Sequence, residues 1–140
     1  MAILGAEIGF VSTDRRLVDF LAQVFELDEH PPIEADAEIM DQLPDARPFI
    51  QYRLQARDGL VVKVTVPEAR PRPDNIAEHV LAGTGLRYVT FYVTDLLGVV
   101  ARAKELGGHI EQSPIAHKGV SLALIRDPDG NVYELAEFPS

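Results

Sequence analysis

Two glutamates and a lysine occupy positions where strand-like alternation separates them from their apolar neighbours. In the run Ile3–Val11, Leu4, Ala6, Ile8 and Phe10 share one face, and Gly5, Glu7, Gly9 and Val11 share the other. Residues 60–66 set Val62, Val64 and Val66 against Val61, Lys63 and Thr65, and residues 86–93 set Val89, Phe91 and Val93 against Leu86, Tyr88, Thr90 and Tyr92. In the last strand Tyr133 and Leu135 oppose Val132, Glu134, Ala136 and Phe138. Withdrawing a carboxylate from water is expensive unless it is paired, hydrogen-bonded or metal-bound. The face carrying Glu7 and Glu134 is therefore either solvated or functional. Carboxylates so placed are the groups from which a general base or a metal ligand is drawn. Gly5 and Gly9 flank Glu7 on its own side and leave room for something to approach.

Arg53 shares a strand face with Gln51 and Gln55; an anion clamp and a solvated edge strand explain it equally well. His30, His79, His109 and His117 show no i, i+4 pair and no His-x-His spacing, so most read as ordinary surface histidines. The absence of cysteine removes disulfides, thiolate nucleophiles and cysteine-type zinc sites, and fits a reducing, cytoplasmic setting. No glycine-rich phosphate loop stands in a strand–helix setting, and there is no nucleophile elbow.

The elements that must position these residues follow from periodicity and punctuation. The 140 residues are about one domain's length. After the first strand, Ser12-Thr13-Asp14 offers helix-cap chemistry. Leu17, Val18, Phe20, Leu21, Val24 and Phe25 then recur at helical spacing. Residues 28–48 carry prolines and acids with little periodicity, with a short strand expected near Ala37–Met40. Phe49–Gln55 and Leu60–Val66 read as strands around the Asp58-Gly59 turn. A short linker helix is expected over Asn75–Leu81. A strand over Leu86–Val93 leads to a helix capped at Thr94-Asp95 and ended by Gly107-Gly108. His109–Gln112 reads as a weak strand, and Val120–Ile125 and Val132–Phe138 as a hairpin closed by Asp127-Pro128-Asp129-Gly130. No stretch is apolar and long enough to cross a bilayer, and no signal peptide is evident. Twenty-two acidic residues against 13 basic give a formal charge of −9. That surface repels phosphate backbones and argues against nucleic acid or anionic membrane as a partner. It suits a cationic small molecule, or serves solubility alone.

The pattern repeats. Phe10, Thr13, Asp14, Val18 and Ala22 align with Phe91, Thr94, Asp95, Val99 and Ala103 at a constant offset of 81, and Gly59 aligns with Gly130 at an offset of 71. The first half therefore carries ten extra residues between helix and hairpin. "EIGFVSTD" and "YVTFYVTD", with the closing "DPDGNVYEL", resemble the tandem modules of the glyoxalase/bleomycin-resistance/dioxygenase superfamily (the vicinal-oxygen-chelate fold). The likeness spans nearly the whole chain and weakens over 28–48 and 68–84. It implies an α+β fold of two βαβββ modules, residues 1–67 and 85–140 joined by 68–84, whose curved mixed sheets enclose a ligand cavity. It also implies pairing as a homodimer.

Members of that family that bind a divalent metal take four ligands from the first and last strands of each half. The matching positions here are Glu7, Lys63, Tyr88 and Glu134. A protonated lysine has no lone pair to give, and tyrosine is an uncommon ligand for hard divalent metals, so the site looks dismantled and no cofactor is expected. Were a metal bound, Glu7 and Glu134 would ligate it. The resemblance then implies a small carbonyl- or hydroxyl-bearing metabolite handled by proton transfer, in the manner of a lyase, isomerase or epimerase. Glu7 or Glu134 would be the base, and Lys63 with Tyr88 would stabilise the oxyanion. Lys63 between carboxylates is a cationic clamp more readily than a base. Arg53, Thr90 and Tyr92 would contact the ligand, together with His117, which the family arrangement puts in a loop at the cavity mouth. The alternatives are an inert salt-bridge cluster at the same positions, sequestration of a small molecule as in resistance proteins, and a metal-dependent lyase or dioxygenase. Against sequestration, the chain lacks tryptophan, a useful stacking surface for planar drugs.

Overall fold

The computed structural model describes residues 2–35, 48–74 and 78–140, in two compact units that divide between Arg72 and Pro73. The strand expected near Ala37–Met40, and the start of the linker helix, lie outside the described residues. Among the described residues no helix is long and apolar enough to cross a membrane.

The first unit contains β1 (Ile8–Val11), α1 (Arg16–Val24), β2 (Asp28–Glu34), β3 (Phe49–Gln55) and β4 (Val61–Pro67). Its sheet runs in the order β1-β4-β3-β2, with β1 parallel to β4 and the other pairs antiparallel. The helical spacing read from the sequence is the spacing buried: Leu17, Val18, Phe20, Leu21 and Val24 are withdrawn from solvent, as are Leu54, Val62 and Val64 of the sheet. Each large side chain so buried contributes about 1.5–3 kcal/mol. At the helix entrance Asp14 Oδ1 accepts the Arg16 N–H at 2.8 Å. The β3–β4 turn has Gly59 at φ 99°, a conformation that residues with a β-carbon rarely adopt, and Asp58 Oδ1 accepts the Leu60 N–H at 3.1 Å.

Residues 28–34, which have no periodicity in sequence, form a strand. β2 is an edge strand exposed along its whole length, so nothing selects apolar residues at alternate positions. Pro31 and Pro32 coincide with the register shift between His30 and Ile33, where the ladder loses no donor it needs.

The second unit repeats the plan with a short 3₁₀ turn (Val80–Ala82), β5 (Tyr88–Tyr92), α2 (Leu96–Glu105), β6 (His109–His117), β7 (Val120–Arg126) and β8 (Val132–Glu137). Its sheet order is β5-β8-β7-β6, with β5 parallel to β8. Leu96, Val99 and Ala103 of α2 and Ala123, Ile125, Tyr133 and Leu135 of the sheet are buried. The strand expected over four residues at His109–Gln112 runs for nine, to His117, with two register irregularities. It too is an edge strand, and its polar sequence hides its length. His117 consequently ends a strand rather than lying in a loop, and Lys118 and Gly119, both at positive φ, make the turn.

Two polar devices hold this unit's ends. Asp95 sits at φ 54° and caps α2 by accepting the Gly98 N–H at 3.2 Å, while the Glu137 carboxylate accepts the Asp95 and Leu96 N–H groups, each at 2.9 Å. In the closing hairpin the buried Asp127 takes four hydrogen bonds: Asp129 N–H (2.8 Å), Asn131 N–H (3.1 Å), Asn131 Nδ2 (2.8 Å) and the Tyr133 hydroxyl (2.6 Å). Burial pushes the Asp127 carboxyl above its usual range despite those donors.

Candidate functional site

Register, which sequence alone does not supply, arranges the candidate residues in rows. In the first unit β2 pairs His30 with Arg53, β3 pairs Arg53 with Lys63, and β4 pairs Lys63 with Gly9. One line across the sheet, on the face away from Leu54, Val62 and Val64, therefore reads His30, Arg53, Lys63, Gly9. Glu7, just before β1, lies over its middle. Its Oε2 accepts from Arg53 Nη2 at 2.8 Å, and its Oε1 stands 3.5 Å from Lys63 Nζ. Arg53 Nη1 donates to Gln51 Oε1 at 3.4 Å, and His30 Nε2 bonds Gln55 Oε1 at 2.9 Å. The three charged side chains are about one-third exposed. Partial desolvation raises the Glu7 carboxyl, but the Arg53 hydrogen bond and charge, followed by those of Lys63, leave it below the usual carboxylate range.

The equivalent line of the second unit reads Thr90, Glu134, Leu124, Gln112. Thr90 matches Gly9 and Glu134 matches Lys63, as the repeat offsets require, so the same place in the two modules is cationic in one and anionic in the other. The Thr90 hydroxyl donates to Glu134 Oε1 at 3.1 Å. Tyr88 lies two residues before Thr90 on that face, and Tyr92 two after. Tyr88 and Tyr92 are exposed, and the Tyr92 ring stacks on Phe138 with centroids 5.4 Å apart. Around Glu134, Val132 and Ala136 on the same face are nearly buried.

The structure thus joins Glu7 with Lys63 and adds Arg53, whose side chain sequence alone leaves open between clamp and solvated edge. It joins Glu134 with Thr90, and leaves Tyr88 and Tyr92 exposed beside them. His117, at the exposed end of β6, is paired with Val120 and stands apart from the Glu134 row. His30, which reads in sequence as a surface histidine, is brought level with Arg53. The only signal that could have found it was the pairing of a strand that its own residues do not announce.

A divalent metal does not fit the first unit's position. Glu7 offers one carboxylate, and a guanidinium and an ammonium already lie against its two oxygens. Neither cation has a lone pair to donate, and both repel a metal. Among the described residues no group of three His, Asp or Glu side chains is placed to hold an ion.

The family model described as "Glyoxalase/Bleomycin resistance protein/Dioxygenase superfamily" matches residues 10–135. Among solved structures, a glyoxalase family protein from Bacillus cereus superposes with a TM-score of 0.81 at 18% identity, covering 100% of this chain and 99% of that one. A glyoxylase/bleomycin resistance protein/dioxygenase domain from Frankia sp. EAN1pec gives 0.74 at 14% identity, covering 99% and 95%. The fosfomycin resistance protein FosX from Mesorhizobium loti gives 0.61 at 19%, covering 95% and 90%. No curated protein matches the chain. At these identities the likeness to solved structures concerns the fold.

Proposed function

The chain belongs to the glyoxalase/bleomycin resistance protein/dioxygenase superfamily, and from that premise we propose that it acts by proton transfer on a small metabolite bearing a carbonyl or hydroxyl group, in the manner of a lyase, isomerase or epimerase. The reaction runs without a divalent metal at the position of Glu7 and Lys63. The observation that carries this reading is the contact of Lys63 and Arg53 with one carboxylate, at 3.5 and 2.8 Å, where the resemblance would put metal ligands.

Each unit supports the chemistry with its own residues. In the first, Lys63 and Arg53 are cations held side by side on one sheet face, suited to holding a negatively charged oxygen. Glu7, kept ionised by them, is a weak base and a strong orienting partner. In the second, Glu134 is placed to act as the base. Thr90 fixes its Oε1 and leaves Oε2 to accept a proton, while the Tyr88 hydroxyl on the same face is a donor to a substrate oxygen.

A second reading, sequestration without turnover, draws on the stacked and exposed Tyr92–Phe138 pair, a surface on which a planar ligand could lie. Proton NMR in deuterium oxide separates the two. With a panel of 2-oxo and 2-hydroxy compounds, the enzyme reading expects deuterium to enter beside the carbonyl, and E134Q to abolish it while the circular dichroism spectrum is kept. Binding without exchange favours sequestration. Exchange that survives E134Q overturns Glu134 as the base, and a stoichiometric metal on elemental analysis overturns the metal-free mechanism.

A further inference from the structure

The row His30, Arg53, Lys63, Gly9 has more cationic character than proton transfer requires. Adjacent strands lie about 4.8 Å apart, so the three basic side chains stand shoulder to shoulder on one face. Arg53 and Lys63 against the single carboxylate of Glu7 leave one formal positive charge in a chain whose total is −9. At the end of the row a β-carbon built on Gly9 would have no atom within 4 Å, so the approach over β1 is open. Glu7 itself precedes β1, in residues 2–7, which form no strand and are exposed. Its carboxylate is held by its two charge contacts rather than by a ladder.

Those contacts have a particular form. One oxygen goes to the guanidinium and the other to the ammonium, so a single centre bearing two oxygens bridges the two cations. The geometry is what a phosphate group would adopt on the same pair, with a further oxygen free to face the His30 end of the row. Resting on the reading of Lys63 and Arg53 as anion-holding cations, we propose that this row is a binding site for a doubly charged tetrahedral oxyanion, such as the phosphate group of a small ester. Glu7 occupies that site as an internal stand-in which the ligand displaces. A monoanionic carboxylate does not displace it, because it offers no more charge than Glu7, and Glu7 competes at the high effective concentration of a tethered group. A dianion doubles the attraction to both cations.

The test is calorimetric titration of the chelator-treated full chain with inorganic phosphate at neutral pH. Acetate and sodium chloride at matched ionic strength are the comparisons. The expected result is saturable phosphate binding, with acetate and chloride inert. Removing the competitor in E7Q should tighten phosphate binding by about twofold to fivefold, the worth of one partly exposed ion pair. K63A should weaken it by about tenfold or more, and K63R should restore most of the loss. K63R also distinguishes loss of the charge from damage to the fold. Phosphate acting no differently from chloride overturns the site, and E7Q binding no tighter than the parent overturns the role of Glu7. Absence of binding while E134Q-sensitive deuterium exchange persists overturns this inference and leaves the proton-transfer reading standing. Tight phosphate binding without exchange does the reverse.

Discussion

Replacing Tyr133 by phenylalanine removes one oxygen from a fully buried site and tests whether Asp127 is the keystone of the closing hairpin. The Tyr133 hydroxyl donates to Asp127 Oδ2 at 2.6 Å, and its ring lies against Phe91 with centroids 5.8 Å apart, a contact that the phenylalanine ring would keep. A hydrogen bond to a charged group contributes about 1.5–3 kcal/mol. Three other donors remain on Asp127, so the expected loss lies near the middle, about 2 kcal/mol, with a Tm lower by roughly 8 °C. Its pH dependence follows from the direction of the Asp127 shift. The folded-state carboxyl lies above the unfolded value of 3.8, so the native state holds more protons between the two values. Stability from this group is fully present below 3.8 and falls as pH rises through the folded pKa. Losing the tyrosine donor raises that pKa further, so Y133F should cost most at neutral pH and progressively less in acid. Urea titration followed by circular dichroism at several pH values measures this. A loss below about 0.5 kcal/mol at neutral pH, or one that does not shrink in acid, refutes the keystone argument.

Other changes are expected as follows. E137A removes the carboxylate that accepts two N–H groups at the start of α2, and urea titration should show a loss of about 1–2 kcal/mol. G98A inverts the usual rule: alanine normally favours a helix by about 1 kcal/mol over glycine, but here its methyl collides with the Asp95 carboxylate that caps α2. A stabilised G98A protein would contradict that geometry. The Glu7 carboxyl lies below its ordinary value of 4.5, so its stabilisation is present above that pH and is lost as pH falls through the folded pKa. Thermal melts of the parent and E7Q proteins should therefore differ at neutral pH and converge in acid. T90V leaves Glu134 without its hydroxyl donor, and substrate-proton exchange should slow by about tenfold if Thr90 positions the base.

The elements with a buried face were legible from residue order, because burial imposes a period that any window of the chain displays. Leu17 through Val24 at helical spacing, Val62 and Val64 in alternation, and Tyr133 with Leu135 all read in sequence as they lie in the fold. The offsets of 81 and 71 likewise made the repeat visible before any pairing was known. The edge strands were not legible. β2 runs through Asp28–Glu34 and β6 as far as His117, and both face solvent, so no period marks them. Register was equally hidden, since a strand's own residues say which faces alternate but not which partner lies opposite. Alternation separated Glu7, Lys63 and Glu134 from the apolar face; only tertiary pairing set Arg53 beside Lys63, put both on the Glu7 carboxylate, carried His30 into the same row and gave Glu134 to Thr90. The physical division is between burial, which each element records in its own composition, and juxtaposition across strands, which comes into being when the chain closes on itself.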